Sequence, residues 1–318
     1  MKILSVNAGS SSLKFQLYNM PEEKVLISGL MERIGVGNSF YTIKVNGEKI
    51  KKEVELNNHE EAFETLVKEL EENHVVEDLN EIEGIGHRVV QGGDYFDKTV
   101  VIDDDVLSKI EELSSLAPLH NPAAVIGIKA AKDVFPNAVQ TAVFDTAFHQ
   151  TMKKENYLYA LPMKWYTDLK VRRYGAHGTS HKFVSERMNE ILGRTDTKLI
   201  TCHIGNGASI SAVVNGKCIN TSMGLTPNAG LIMGTRCGDI DASIIPYVME
   251  KTGMTAKEID IAINKESGLL AISQKSSDSR DIEDGIASGD ENCILAQKMY
   301  VRRIVDYIAK YLSLIHIS

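Results

Sequence analysis

The sequence predicts an α/β protein of two domains, each opening with strands and hairpins and closing with helices. Three observations predict it. Leu13, Phe15 and Leu17 alternate with Lys14 and Gln16, the period of a half-buried strand. Asn46-Gly47 and Asn215-Gly216 mark a two-residue hairpin in each half. Helical stripes follow the strands in both halves, and no long linker or low-complexity tract separates them.

In chain order, Ile3, Leu4 and Val6 predict a strand, Asn7 to Ser12 a turn, and Leu13 to Leu17 a second strand. Phe40 to Val45 and Glu48 to Val54 flank the first hairpin turn. From Glu60 to Glu72, Phe63, Leu66, Val67 and Leu70 form an apolar stripe on a charged helix. Gly84 to Val90 reads as a short buried strand ending at Gly92-Gly93, Pro122 to Val134 as an apolar helix, and Ala138 to Phe144 as a strand ending on Asp145. In the second half, Lys198 to His203 is a strand, and Ala208 to Val214 with Lys217 to Asn220 the second hairpin. Helices are expected near Ala242 to Lys251 and Glu291 to Tyr311. The domain boundary falls near residue 150.

A formal net charge of -8 argues against nucleic acid or an anionic membrane as the main partner. Cys202, Cys218, Cys237 and Cys293 are scattered without a C-x-x-C pair, which suits reduced thiols in the cytoplasm. MKILSVNAGSSSLK reaches its glycine-serine turn too soon to be a secretory signal. No uncharged apolar run approaches the roughly 18 residues of a membrane span.

Several short stretches carry chemistry. Asn7-Ala-Gly-Ser-Ser-Ser-Leu-Lys14 places small residues, hydroxyls and a lysine around a turn, the parts needed to hold phosphate oxygens. Read alone, it is equally a polar hairpin turn. The Walker pattern is absent. Ser11-x-x-Lys14 with Lys251-Thr252-Gly253 mimics the serine penicillin-recognising enzymes. Their serine and lysine share a helix face, however, whereas residues three apart in a strand face opposite sides. His203-Ile-Gly-Asn-Gly-Ala-Ser209 is a second tight turn suited to a polyphosphate. Arg88 in GHRVVQGG and Arg236 in MGTRCGDID stand in glycine-rich surroundings, where a guanidinium grips a carboxylate or phosphate with two bonds or else makes a surface ion pair. Asp145, His120 and His177 have ordinary capping, loop or core readings when taken singly.

Together, VNAGSSSLKFQLY, GHRVVQGG, LAPLHNP, VFDTAFH, RRYGAHGTSH, HIGNGAS, NTSMGLTP, GLIMGTRCGDID and SSDSRDI resemble the acetate kinase family in order and spacing, over nearly all of residues 1–311. The resemblance implies the fold shared by acetate and sugar kinases, heat-shock ATPases and actin, with one actin-like domain at 1–149, a second at 150–311, and the active site in the cleft between them. It implies ATP-dependent phosphorylation of acetate, reversible and direct, in a cytoplasmic protein that is a homodimer when complete. Magnesium, or manganese in its place, would sit by Asn7, and the phosphates by Ser10, Ser12 and Lys14. Arg88 would hold the carboxylate, with Val90, Leu119 and Pro227 around the methyl group. Arg236 and His177 would stabilise the transferring phosphoryl group, and Asp145 is the family's catalytic acidic residue. His203, Ile204, Gly205, Asn206 and Gly207, with Asp278, Ser279 and Arg280, would meet the nucleotide. A propionate or butyrate kinase is the alternative within the class. A chaperone-like or filament-forming ATPase of the same superfamily is the alternative outside it.

Three departures accompany the resemblance. Gln91 stands where the family often has histidine, and Ala176 where it often has a phenylalanine bordering the acyl pocket. The tail Leu312 to Ser318, LSLIHIS, leaves the helical pattern and resembles a translated transposase adaptor. The expectation is that native sequence stops near Tyr311, short of the family's second glycine-rich nucleotide loop, a metal-side glutamate and the closing helices. So shortened, the chain is expected to be inactive and poorly soluble.

Overall fold

The computed structural model describes every residue except Leu119 and Ser318, and the chain divides into two units, Met1–Ala147 and Phe148–Ser318.

In the first unit, β1 (Lys2–Gly9) and β2 (Ser12–Asn19) form an antiparallel hairpin, followed by β3 (Lys24–Glu32), β4 (Phe40–Val45) and β5 (Glu48–Glu53). Helix α1 (His59–Glu72) leads to β6 (Ile82–Val89) and the short β7 (Val100–Val101). Helices α2 (Asp104–Glu112) and α3 (Asn121–Val134) then lead to β8 (Val139–Phe144). Among the described residues these strands make one eight-stranded sheet in the order β5-β4-β3-β2-β1-β6-β8-β7, with β1, β6 and β8 parallel to one another. One face is apolar because the alternation is strict. Leu4, Val6, Leu13, Phe15 and Leu17 are buried beside Phe63, Leu66 and Leu70 of α1. Each such side chain stabilises the fold by roughly 1.5–3 kcal/mol relative to exposure.

The expected turn from Asn7 to Ser12 is shorter than read. The ladder continues through Asn7↔Lys14 to Gly9↔Ser12, so only Ser10 and Ser11 lie between the strands. Polar side chains on the solvent face do not interrupt backbone pairing, which is why composition mistook strand for loop.

The second unit begins with helices α4 (Lys154–Tyr157), α5 (Met163–Leu169) and α6 (Gly178–Leu192). Strands β9 (Lys198–Ile204), β10 (Ala208–Val214) and β11 (Lys217–Thr221) form an antiparallel sheet in the order β11-β10-β9. Helices α7 (Ile244–Thr252), α8 (Ala256–Lys265), α9 (Gly268–Ser273), α10 (Ser279–Ala287) and α11 (Glu291–Leu312) complete it. Ala208, Ile210 and Ala212 of β10 pack with Met223, Leu231, Met233 and the α11 residues Tyr307 and Tyr311.

After α11 the chain adds one π-helical turn, Ser313–Ile317, and Ile315 is buried in this same cluster. The sequence pattern was expected to break at Leu312. Ile315 instead falls four residues after Tyr311, and a helical continuation keeps residues at that spacing on one face.

Candidate active site

In the first unit, the parallel strands bring polar side chains to one face near their carboxyl ends. Asn7 pairs directly with Lys14 across β1 and β2, so the two side chains share a face. On the parallel neighbour, Val6 pairs with His87 on the apolar face, so the next residue, Arg88, lies on the face of Asn7 and Lys14. Arg88 pairs in turn with Val143 of β8, and Asp145 stands two residues further on. The strand alternation thereby gathers Lys14, Asn7, Arg88 and Asp145 from four separate segments.

Arg88 and Asp145 form a two-bonded fork. Arg88 Nε donates to Asp145 Oδ1 at 3.0 Å and Nη2 to Oδ2 at 2.6 Å. Burial lowers the pKa of the guanidinium, but the hydrogen bonds and charge of Asp145 outweigh it, leaving Arg88 above its ordinary value. The Asp145 side chain is 2% exposed and that of Arg88 is 40% exposed. The fork therefore sets the arginine from its buried side and leaves the outer side open.

The surrounding loops are pinned by side chains that the sequence reading passed over. His59 donates from Nε2 to the Gly9 carbonyl at 2.8 Å, beside the Ser10-Ser11 turn. The buried Asn121 accepts from Gln91 N–H at 3.1 Å and donates to the Gln91 carbonyl at 3.0 Å. Gln91 Oε1 accepts from Gly93 N–H at 2.9 Å, and Thr146 Oγ1 from Gly92 N–H at 3.0 Å. Gln91, the departure from the family's usual histidine, is thus a buried loop brace. Val90 is half-buried in this braced loop. Leu119 lies outside the described residues.

In the second unit, His177 is the N-cap residue of α6, in the left-handed conformation at φ 60° and ψ 19°. That conformation costs a non-glycine residue about 1–2 kcal/mol. The ring is held on two sides: Nδ1 lies 2.9 Å from Ser209 Oγ, and the plane stacks on His203 at a centroid separation of 4.0 Å. His203 Nδ1 is 2.8 Å from Ser180 Oγ. Behind them, His181 bridges Ser209 Oγ and Thr201 Oγ1, each at 2.8 Å. Burial first, then the charges of His149, His177 and His203, push His181 down to about 2, so it stays neutral.

Glycines let the loops close over this cluster. A Cβ on Gly207 would lie 3.4 Å from both His177 Nε2 and Arg236 Nη1, so the HIGNG loop touches both groups. A Cβ on Gly234 would lie 1.8 Å from Asn206 Oδ1 and 3.1 Å from the Ser277 carbonyl. Gly234 N–H donates to the Asn206 carbonyl at 2.9 Å. The HIGNG loop, the arginine loop and the SSDSR stretch therefore meet at Gly234, where no side chain fits.

Arg236 Nη1 donates to the Pro227 carbonyl at 3.0 Å, so Pro227 braces the arginine through its backbone. Asp239 anchors the same loop: it accepts from Gly230 N–H at 2.8 Å and from the Tyr307 hydroxyl of α11 at 2.5 Å. Asp278 caps α10 through Arg280 N–H at 2.9 Å and grips the Arg280 guanidinium. Hydrogen bonds from Arg280 hold the Asp278 carboxyl down at about 2. Ser279 and the Arg280 side chain are exposed. The expectation for Ala176 changes. It is 2% exposed within the apolar cluster of this unit, and its carbonyl accepts from His149 Nε2 at 3.1 Å, so its methyl group faces core.

Residues 2–317 match the model of the acetokinase family. This chain belongs to that family. It is 55% identical over 312 residues to the acetate kinase of Macrococcus caseolyticus (strain JCSC5402), covering 98% of this chain and 78% of that relative. It is 54% identical to the acetate kinase of Bacillus subtilis (strain 168), covering 98% and 79%. The crystal structure of Porphyromonas gingivalis acetate kinase superposes with a TM-score of 0.93 at 45% identity, over 99% of this chain and 80% of that one. A propionate kinase from Francisella tularensis subsp. tularensis SCHU S4 gives 0.95 at 45% identity, over 99% and 81%. The α/β fold is that of this family of carboxylate phosphotransferases.

Proposed function

We propose that this chain transfers the γ-phosphoryl group of ATP to acetate, giving acetyl phosphate and ADP, and runs the reaction in either direction. An acetate oxygen attacks the γ-phosphorus as the bond to the β–γ bridging oxygen breaks, and that electron pair leaves on ADP. An ionised carboxylate has no proton to lose, so no general base is required. It is, however, a weak nucleophile with the same sign of charge as the phosphate. The protein's task is to supply positive charge and alignment.

The observation that carries this reading is the Arg88–Asp145 fork. Its buried side is satisfied by Asp145, and its Nη1 has no partner among the described residues. A guanidinium so fixed, on the sheet face of Lys14, suits a small carboxylate. Arg236 and His177, brought together against Gly207, suit the transferring phosphoryl group. Lys14, Ser10 and Ser12 suit phosphate oxygens, and the HIGNG loop with residues 278–280 suits the nucleotide.

Magnesium, or manganese, is proposed to enter with the nucleotide. Such an ion needs only one or two protein oxygens when phosphates supply the rest. Asn7 offers a carboxamide oxygen on the face it shares with Lys14. Bound there, the ion would neutralise phosphate charge. Acetate is favoured over propionate because the relatives at 54–55% identity are acetate kinases, whereas the propionate kinase stands at 45%. We further infer a cytoplasmic homodimer with no nucleic-acid partner. Free cysteines, a net charge of -8, and the exposed Phe183, Met188 and Ile191 of α6 support this reading.

Trapping with hydroxylamine tests the reaction. Acethydroxamate should form only with acetate, ATP and magnesium all present, and at a higher kcat/KM than propionohydroxamate. ADP release without hydroxamate would replace this reading with that of an ATPase.

A further inference from the structure

We infer that His59 is the positioning residue of the β1–β2 turn, fixing the peptide that joins Gly9 to Ser10 so that the Ser10 amide meets phosphate oxygens. The inference deepens the proposed phosphotransfer and rests on that reading for the identity of the ligand.

The start of α1 puts the ring in place. Asn58 caps the helix, accepting from Glu61 N–H at 2.9 Å, and Asn57 N–H donates to the Glu61 carboxylate at 2.7 Å. These bonds hold the first turn against fraying. His59 is the first residue of that helix, and helical side chains lean toward the N-terminus. The imidazole therefore projects past the end of α1, to a strand residue 50 positions earlier. It is 6% exposed there. Its Nε2 lies 2.8 Å from the Gly9 carbonyl. A carbonyl oxygen only accepts, so that nitrogen carries the proton.

A peptide unit is planar and trans, so its N–H points opposite to its carbonyl. With the Gly9 carbonyl drawn toward α1, the Ser10 N–H is directed to the other side of the turn. The Ser11 carbonyl is likewise drawn back, accepting from Ile34 N–H at 3.0 Å. Two of the three peptide units of the turn are thus anchored from outside the hairpin. Packing fixes the strand beneath: a Cβ on Gly127 of α3 would lie 2.9 Å from Ala8 Cβ. A Cβ on Gly9 would lie 2.7 Å from Ser12 Oγ, so the serine hydroxyl folds over the glycine. Displacing the Gly9 peptide therefore disturbs the Ser10 amide and the Ser12 hydroxyl together. Ser10 and Lys14 are exposed, within reach of an anion. An amide already held in place has little freedom left to lose when the anion arrives.

Amide hydrogen exchange and magnesium–ATP calorimetry on the purified protein test this, using His59→Ala and His59→Gln. The glutamine carboxamide nitrogen can take the place of Nε2. In His59→Ala the amides of residues 9–12 should exchange faster, while those of residues 63–70 in α1 keep the parent rate. Its Kd for magnesium–ATP should rise about fivefold, the equivalent of one net hydrogen bond, with the KM for acetate unchanged. His59→Gln should restore both the exchange and the affinity. Parent-like exchange in His59→Ala, or no recovery in His59→Gln, overturns the inference. Faster exchange spread through α1 would overturn it too, by making His59 a residue of helix stability alone. So would an ATP Kd equal in all three proteins. Absent ATP binding by the parent, with the expected exchange pattern, would uphold His59 as the brace of the turn and remove the phosphotransfer reading instead.

Discussion

Arg88 and His177 are supported by different chemistry. In the first unit, a permanently charged guanidinium is fixed by a carboxylate that is itself 2% exposed, with the charge of each answering the other. In the second, an imidazole is held by the Ser209 hydroxyl and stacked on the His203 ring, with the buried, neutral His181 behind them. The first unit thus offers a guanidinium fixed by an opposite charge, and the second an imidazole fixed by a hydroxyl and a stacked ring.

The largest expected effects test that division. In the proposed reaction, Arg88→Ala should lower kcat/KM about a hundredfold and raise KM for acetate. Arg236→Ala should cost a similar factor, mainly in kcat. Each corresponds to roughly 3 kcal/mol of lost charge stabilisation. Wild-type hydroxamate kinetics in both variants would reduce the arginines to structural ion pairs and dissolve the comparison.

Ala176→Phe comes next. An aromatic ring forced among Ala208, Ile210 and Met223 should destabilise the second unit by about 1–3 kcal/mol through overpacking, leaving the propionate-to-acetate ratio unchanged. Urea unfolding and the two hydroxamate rates check this. A changed ratio at unchanged stability would place the position beside the acyl group after all.

The pH dependence of stability separates the units further. Burial pushes His87 of the first unit down to about 4, against the hydrogen bond to Gln140 that raises it. The unfolded chain takes up this proton near pH 6.5 and the folded one resists it, so stability is lost as pH falls from 6.5 toward 4. The slope is at most about 1.4 kcal/mol per pH unit for one histidine. His181 acts in the same direction in the second unit, over a window reaching down to about 2. His87→Gln should therefore flatten acid sensitivity between pH 6.5 and 4 for the first unit alone. Denaturant midpoints at pH 7 and pH 5 give the measurement, and an unchanged difference between them would show that His87 is not the responsible group.

The smallest effect is expected at Arg280. Its guanidinium is 85% exposed and pairs with Asp278, so Arg280→Ala should leave the melting temperature unchanged. Any loss should appear as a raised KM for ATP. A KM equal to that of the parent would take Arg280 out of the nucleotide site.

Much of this protein was legible in its sequence because the relevant signals are local. Alternation placed β2, the Asn-Gly pairs placed both hairpin turns, and the apolar stripe placed α1 within a residue of its start. The family motifs identified the residues that the structure gathers on one sheet face or around Gly207. The tertiary structure alone decided who holds whom. The Arg88–Asp145 fork joins residues 57 apart through the register of β6 and β8, and the Ser209 bridge spans 28 and 32 residues to its two histidines. Neither pairing is encoded in any window of sequence. The burial of Ala176, the brace formed by Gln91 and Asn121, and the seating of Ile315 have the same origin. A side chain's period reports which face it occupies, but its partner is set by the other element packed there.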